Sequence, residues 1–72
     1  MKDPVNIVLP KQNDIWIERN GELEVAVYKV FRREGKLCVE FVERVMLIVH
    51  SNQLDTFLRK FSFTGRVEEA FT

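Results

Sequence analysis

The segment Leu23–Phe41, LEVAVYKVFRREGKLCVEF, constrains the fold more than any other part of the chain. It alternates apolar and polar residues on both sides of Arg33-Glu34-Gly35, which is the pattern of two long strands folded back on each other. Leu23, Val25, Val27, Phe31, Leu37, Val39 and Phe41 are all odd-numbered, so an extended chain puts them on one face. A three-residue loop ending in a left-handed glycine keeps odd positions opposite odd ones. It sets Phe31 against Leu37 and Val27 against Phe41. A two-residue loop pairs odd with even and divides the apolar set between the faces.

The same reasoning applies one turn earlier. Arg19-Asn20-Gly21, read as a three-residue loop, pairs Ile17 with Leu23 and Ile15 with Val25. A three-stranded antiparallel meander over residues 13–18, 22–32 and 36–44 follows. Its even face carries Trp16, Ala26, Tyr28, Val30, Cys38 and Val42 in the middle and charged residues at the ends. A solvated sheet face is mostly polar, so an apolar strip of this kind is expected to be covered by a partner or by another segment.

Around the meander, Pro4 and Pro10 bracket a short edge strand over residues 5–9. Val45-Met46-Leu47-Ile48-Val49 is a continuous apolar run whose length and β-branching favour a buried strand over a helix, although Phe41, Val45 and Val49 also fit helical spacing. Ser51 or Asn52 then caps a helix over about residues 52–62, with Leu54, Phe57, Leu58 and Phe61 spaced i, i+3, i+4, i+7 along one apolar stripe. That stripe is expected to pack on the odd face. Gly65 stops the helix, and residues 63–72 form a tail that is mobile or docked on a neighbour. The fold class is therefore α+β, one domain over residues 1–72. Its small, strongly curved antiparallel sheet of four or five strands, a meander or small open barrel over about residues 5–49, precedes a single C-terminal amphipathic helix, in the order β-β-β-β-β-α.

Seventy-two residues lie near the lower limit for a self-sufficient core. A single cysteine excludes an intrachain disulfide, and Cys38 reads as a small buried hydrophobe. Oligomerisation is the remaining common way to enlarge so small a core. Eleven basic residues balance eleven acidic ones, so the strongly positive domain expected of a polyanion binder is absent. No signal peptide or long apolar run is present, which gives the expectation of a cytoplasmic protein with no membrane contact.

No motif points to catalysis. His50 is the only histidine; its neighbour Ser51 does not make a nucleophile–base geometry, and one histidine with one cysteine cannot form a four-ligand metal site. The three glycines stand apart from one another and make no phosphate loop. No cofactor is implied, and the chain reads as a non-enzymatic binding or regulatory protein.

Two binding readings remain. The first is protein interaction as a homo-oligomer, a dimer foremost, through Trp16, Tyr28, Val30, Cys38, Val42 and Phe71. The second is single-stranded nucleic-acid binding, with Trp16 and Tyr28 as stacking surfaces and Lys29, Arg32, Arg33, Lys36 and Arg44 on phosphates. The order of elements over residues 13–61, antiparallel strands and then an amphipathic helix, is similar to that of the single-stranded-DNA-binding transcription coactivators of the positive-cofactor-four and Whirly type. That resemblance implies dimerisation and binding of single strands across the sheet, and assigns no individual residue.

Overall fold

The computed structural model describes residues 9–69. Five strands form one antiparallel sheet: β1 (Asp14–Glu18), β2 (Glu24–Arg33), β3 (Lys36–Glu43), β4 (Val49–Gln53) and β5 (Phe61–Val67). Their spatial order is β4-β3-β2-β1-β5. The one helix, α1 (Leu54–Lys60), lies between β4 and β5 and abuts both without a loop. The helix is therefore a crossover between the two edges of the sheet, which corrects the expected C-terminal position. The expected edge strand falls largely on residues 5–8, outside the described residues, as does Phe71.

The crossover dictates the shape of the sheet. Four strand spacings in a flat sheet separate the edges by about 19 Å, whereas a helix of this length advances only about 10–12 Å. The sheet must curl until its edges approach, and α1 then covers its inner face. Trp16, Val25, Val27, Val39, Phe41, Phe57 and Phe61 form the buried cluster there, with Leu23, Val30, Leu54, Leu58 and Phe63 packed around it. Leu54, Phe57 and Leu58 of the expected stripe thus reach this core from α1, whereas Phe61, expected on the helix, reaches it as the first residue of β5. Aromatic contacts dominate this core: Phe57 stacks on Phe61 at 4.8 Å and meets Trp16 edge-on and Phe41 at a tilt, each at 5.1 Å, centroid to centroid.

Helix α1 has no side-chain N-cap. Ser51 and Asn52, expected to cap it, lie in β4, because β3 takes residues 49–53 as its antiparallel partner. Its C-terminus is held instead by Arg19, whose guanidinium donates to the carbonyls of Leu58 (2.7 Å) and Arg59 (3.0 Å) and whose backbone N–H donates to Lys60 (2.9 Å). These are the helix-end carbonyls that need an external donor.

Both hairpins depart from the expected register. The β1–β2 connection is a four-residue loop, Arg19 to Glu22, with Gly21 at φ 84° and the Gly21 N–H donating to Glu18. Trp16 consequently opposes Val25 and Ile15 opposes Ala26. That half-register step turns Trp16 inward. The β2–β3 turn is the two-residue Glu34-Gly35, both at positive φ (53° and 79°), as a type I′ turn requires. Phe31 accordingly pairs with Cys38, not Leu37. Farther down, a β-bulge at Tyr28 inserts one residue, and Val27 opposes Phe41 as expected. The bulge switches parity along β2: Val25 and Val27 face inward before it, Val30 after it.

β5 replaces the expected tail. Phe63 pairs with Trp16, their ring centroids 5.4 Å apart, and Arg66 pairs with Ile15. Between those pairs Thr64 and Gly65 (φ 86°) form a bulge, locked by the Thr64 hydroxyl donating to the Ile15 carbonyl at 2.6 Å.

Candidate interaction surface

The run Val45–Val49 is not a buried strand. The chain reverses after Glu43, because only then can residues 49–53 pair with β3. The reversal is closed by the Glu43 N–H donating to the Ile48 carbonyl (2.9 Å) and by the Leu47 N–H donating to the Glu43 carbonyl (2.8 Å). Val45, Met46, Leu47, Ile48 and Val49 are between 45% and 83% exposed. Five consecutive apolar side chains therefore project from one end of the sheet. Scattered exposed hydrophobes need no explanation, but a contiguous set is a candidate interaction surface. Leu47 also sits at φ 59°, a left-handed conformation that costs a non-glycine residue about 1–2 kcal/mol. Sequence and backbone strain converge on the same spot.

The base of this tip is braced on both faces. On the outer face Arg44 contacts Glu68 at 2.7 Å and Glu24 at 3.9 Å, while Arg66 contacts Glu24 at 2.6 Å and Glu68 at 3.2 Å. The four side chains close a ring of alternating charge. The hydrogen bond from Arg44, with its positive charge, holds the Glu68 carboxyl below its usual range, and the Glu24 contact raises Arg66. On the inner face the His50 imidazole lies 2.6 Å from the Glu43 carboxylate and stacks on Phe41 at 5.3 Å. These two side chains, with Glu18, Leu23, Phe41, Asn52, Lys60 and Phe61, line a cavity of about 160 Å³.

At the other end of β4 a shallow groove of about 420 Å³ lies between the β2–β3 hairpin and the start of α1. Leu37 and Leu54 form its apolar part, with Arg32, Lys36, Gln53 and Asp55 around them. The tip and the groove thus flank a five-residue edge strand, about 17 Å long.

The residues expected to form one apolar even face are dispersed. Trp16 and Cys38 are buried, and Val30 packs on the inner core. Val42 is half-buried opposite Ala26 and Val49. Tyr28 is exposed at the bulge. The expected cations separate as well. Lys29, Arg32, Arg33 and Lys36 gather on the β2–β3 hairpin, where the Lys29 ammonium and the Arg33 guanidinium lie 5.4 Å and 5.3 Å from the Phe31 ring centroid. Arg44 belongs to the charge ring at the opposite end.

The sequence reading missed the tip because an apolar run carries no sign of whether it is covered. The usable signal was its neighbour: His50-Ser51-Asn52-Gln53 is too polar to continue a core strand, so a reversal had to precede it.

The chain matches no protein-family model, and no curated protein or solved structure is significantly similar to it. The element order on which the coactivator resemblance rested is replaced by a helix inside the strand order. Among the described residues no three His, Cys, Asp or Glu side chains converge in a metal-binding group, and no helix is long and apolar enough to cross a membrane.

Proposed function

We propose that the protein is a small, non-enzymatic cytoplasmic interaction module that self-associates through the β3–β4 tip. The observation that carries this reading is the exposure of five consecutive apolar residues, Val45 to Val49, on a braced and strained turn. Burying a side chain of this size contributes about 1.5–3 kcal/mol, so two or three of them supply an interface core. The near-neutral charge suits association of like copies, which a large net charge opposes. The test is the solution mass over a concentration series for the wild type and Leu47→Asp. The wild type is expected to associate, and the variant to remain folded with self-association about ten- to a hundredfold weaker. An unchanged mass–concentration curve for the variant would remove the tip from the interface.

A second reading, single-stranded nucleic-acid binding, draws support from one observation: exposed Tyr28 and four cations share the β2–β3 hairpin. Titration of a labelled oligonucleotide at rising salt separates the readings, because phosphate contacts weaken steeply with ionic strength. Affinity that is absent at low salt would eliminate the nucleic-acid reading.

A further inference from the structure

The two edges of the sheet are built differently. β5 is interrupted by the Thr64–Gly65 bulge and carries Arg66 beside it, the kind of device that discourages another strand from pairing there. β4, Val49-His50-Ser51-Asn52-Gln53, has no charged residue, proline or register shift. Glu43 and Ile48 form a hydrogen-bonded pair, so by antiparallel alternation residues 50 and 52 direct their backbone groups to β3. Val49 and Ser51 then turn N–H and C=O toward the open side. The edge is short, and among the described residues no strand pairs with its open side.

The geometry points to a partner: a second copy of this chain, its β4 antiparallel to the first about a two-fold axis at Ser51. The proposal rests on the self-association reading above and specifies its architecture. With Ser51 opposite Ser51, paired numbers sum to 51 + 51, so Val49 faces Gln53 and Ile48 faces Leu54 of the other copy. Met46, Leu47 and Ile48 then run alongside the groove floored by Leu37 and Leu54, which lies past the far end of β4. Because the operation is two-fold, each tip meets the other copy's groove, and one pairing covers both apolar tips and both open edges. Tip and groove lie at opposite ends of the strand, and an antiparallel pairing is what brings them together.

The decisive experiment uses the full chain in three variants beside the wild type, with mass from light scattering and folding from circular dichroism. Ser51→Pro removes only an outward-facing N–H, which an edge strand tolerates. It is expected to leave the fold and abolish the dimer. Ser51→Cys places a thiol on the axis, where directly opposed residues have Cα atoms about 5.5 Å apart, within disulfide reach. It is expected to give a covalent dimer on mild oxidation, because the native thiol, Cys38, is buried. Leu47→Asp tests the tip alone. Loss of the dimer in Leu47→Asp, with a dimeric Ser51→Pro or no cross-link from Ser51→Cys, overturns the β4 pairing and leaves the tip reading intact. A wild type that is monomeric at every concentration overturns both. If Ser51→Pro fails to fold, the cross-link decides.

Discussion

The two turns that bound β3 differ in nearly every respect. Glu34-Gly35 is a two-residue turn with glycine at one of its positive-φ positions, and Arg32, Arg33 and Lys36 surround it with charge. The Arg44–Ile48 turn is apolar from Val45 onward and places a leucine in the left-handed region. Connections face water and are usually polar, so the first turn needs only hairpin geometry to explain it. The second is costly both in exposed apolar surface and in backbone conformation. Reversal alone explains the first turn; the second exposes apolar surface that the proposed self-association would cover.

Substitutions separate the two turns, beginning with the core that supports both. Phe57→Ala empties the centre of the aromatic cluster and is expected to cost about 3–5 kcal/mol, measured by urea unfolding. A wild-type midpoint would mean that the turns do not depend on a common core. At the polar turn, Gly35→Ala meets no atom within 4 Å of the added carbon, so its expected cost of about 1–2 kcal/mol is backbone strain alone. A neutral result would show that the turn relaxes to another type. At the apolar turn the sign reverses. Leu47→Gly relieves the left-handed strain and is expected to raise monomer stability by about 0.5–1 kcal/mol while weakening self-association. A variant that loses stability would show that Leu47 packs within its own chain.

The smallest effect concerns the charge ring beneath the tip. The folded state lowers the Glu68 carboxyl pKa, chiefly through the hydrogen bond from Arg44, so its contribution is full above the ordinary carboxylate value and disappears as pH falls through the lowered one. The ring is exposed, and salt screens it. Melting curves at neutral and strongly acidic pH should show a slightly smaller acid loss for Arg44→Gln than for the wild type. Equal losses would mean that the ring contributes nothing measurable.

How much of this was legible in the sequence depends on the length scale. The meander and the apolar helical stripe were readable because periodicity is local: Val25, Val27, Val39 and Phe41 face the helix as their alternation requires. The hairpin pairings were not, because each was inferred from a single parity carried along the whole strand. One extra residue at Tyr28 and one in the first loop suffice to send Trp16 inward and Phe31 outward. The apolar strip was legible as a pattern, but the fold disperses Trp16, Tyr28, Val30, Cys38 and Val42 and leaves Val45–Val49 exposed instead. Whether Val45–Val49 is covered depends on where β4 pairs, which is a long-range fact. β5 was hidden because Phe61 completes the helical spacing; the Phe61/Phe63 alternation before Gly65 was the competing local signal.

The direct passage from β4 through α1 into β5 also sets an order of events. β1 pairs with β2 across a four-residue loop, but its other side pairs with a strand about fifty positions later, Ile15 with Arg66. During synthesis the meander is therefore complete while β1 still lacks its second neighbour and the inner face still lacks Phe57 and Phe61. Closing so long a loop is slow compared with forming a hairpin. Until β5 is made, the meander is expected to have two open edges and an uncovered aromatic face. Docking of β5 on β1 is therefore expected to be the last and slowest step of folding.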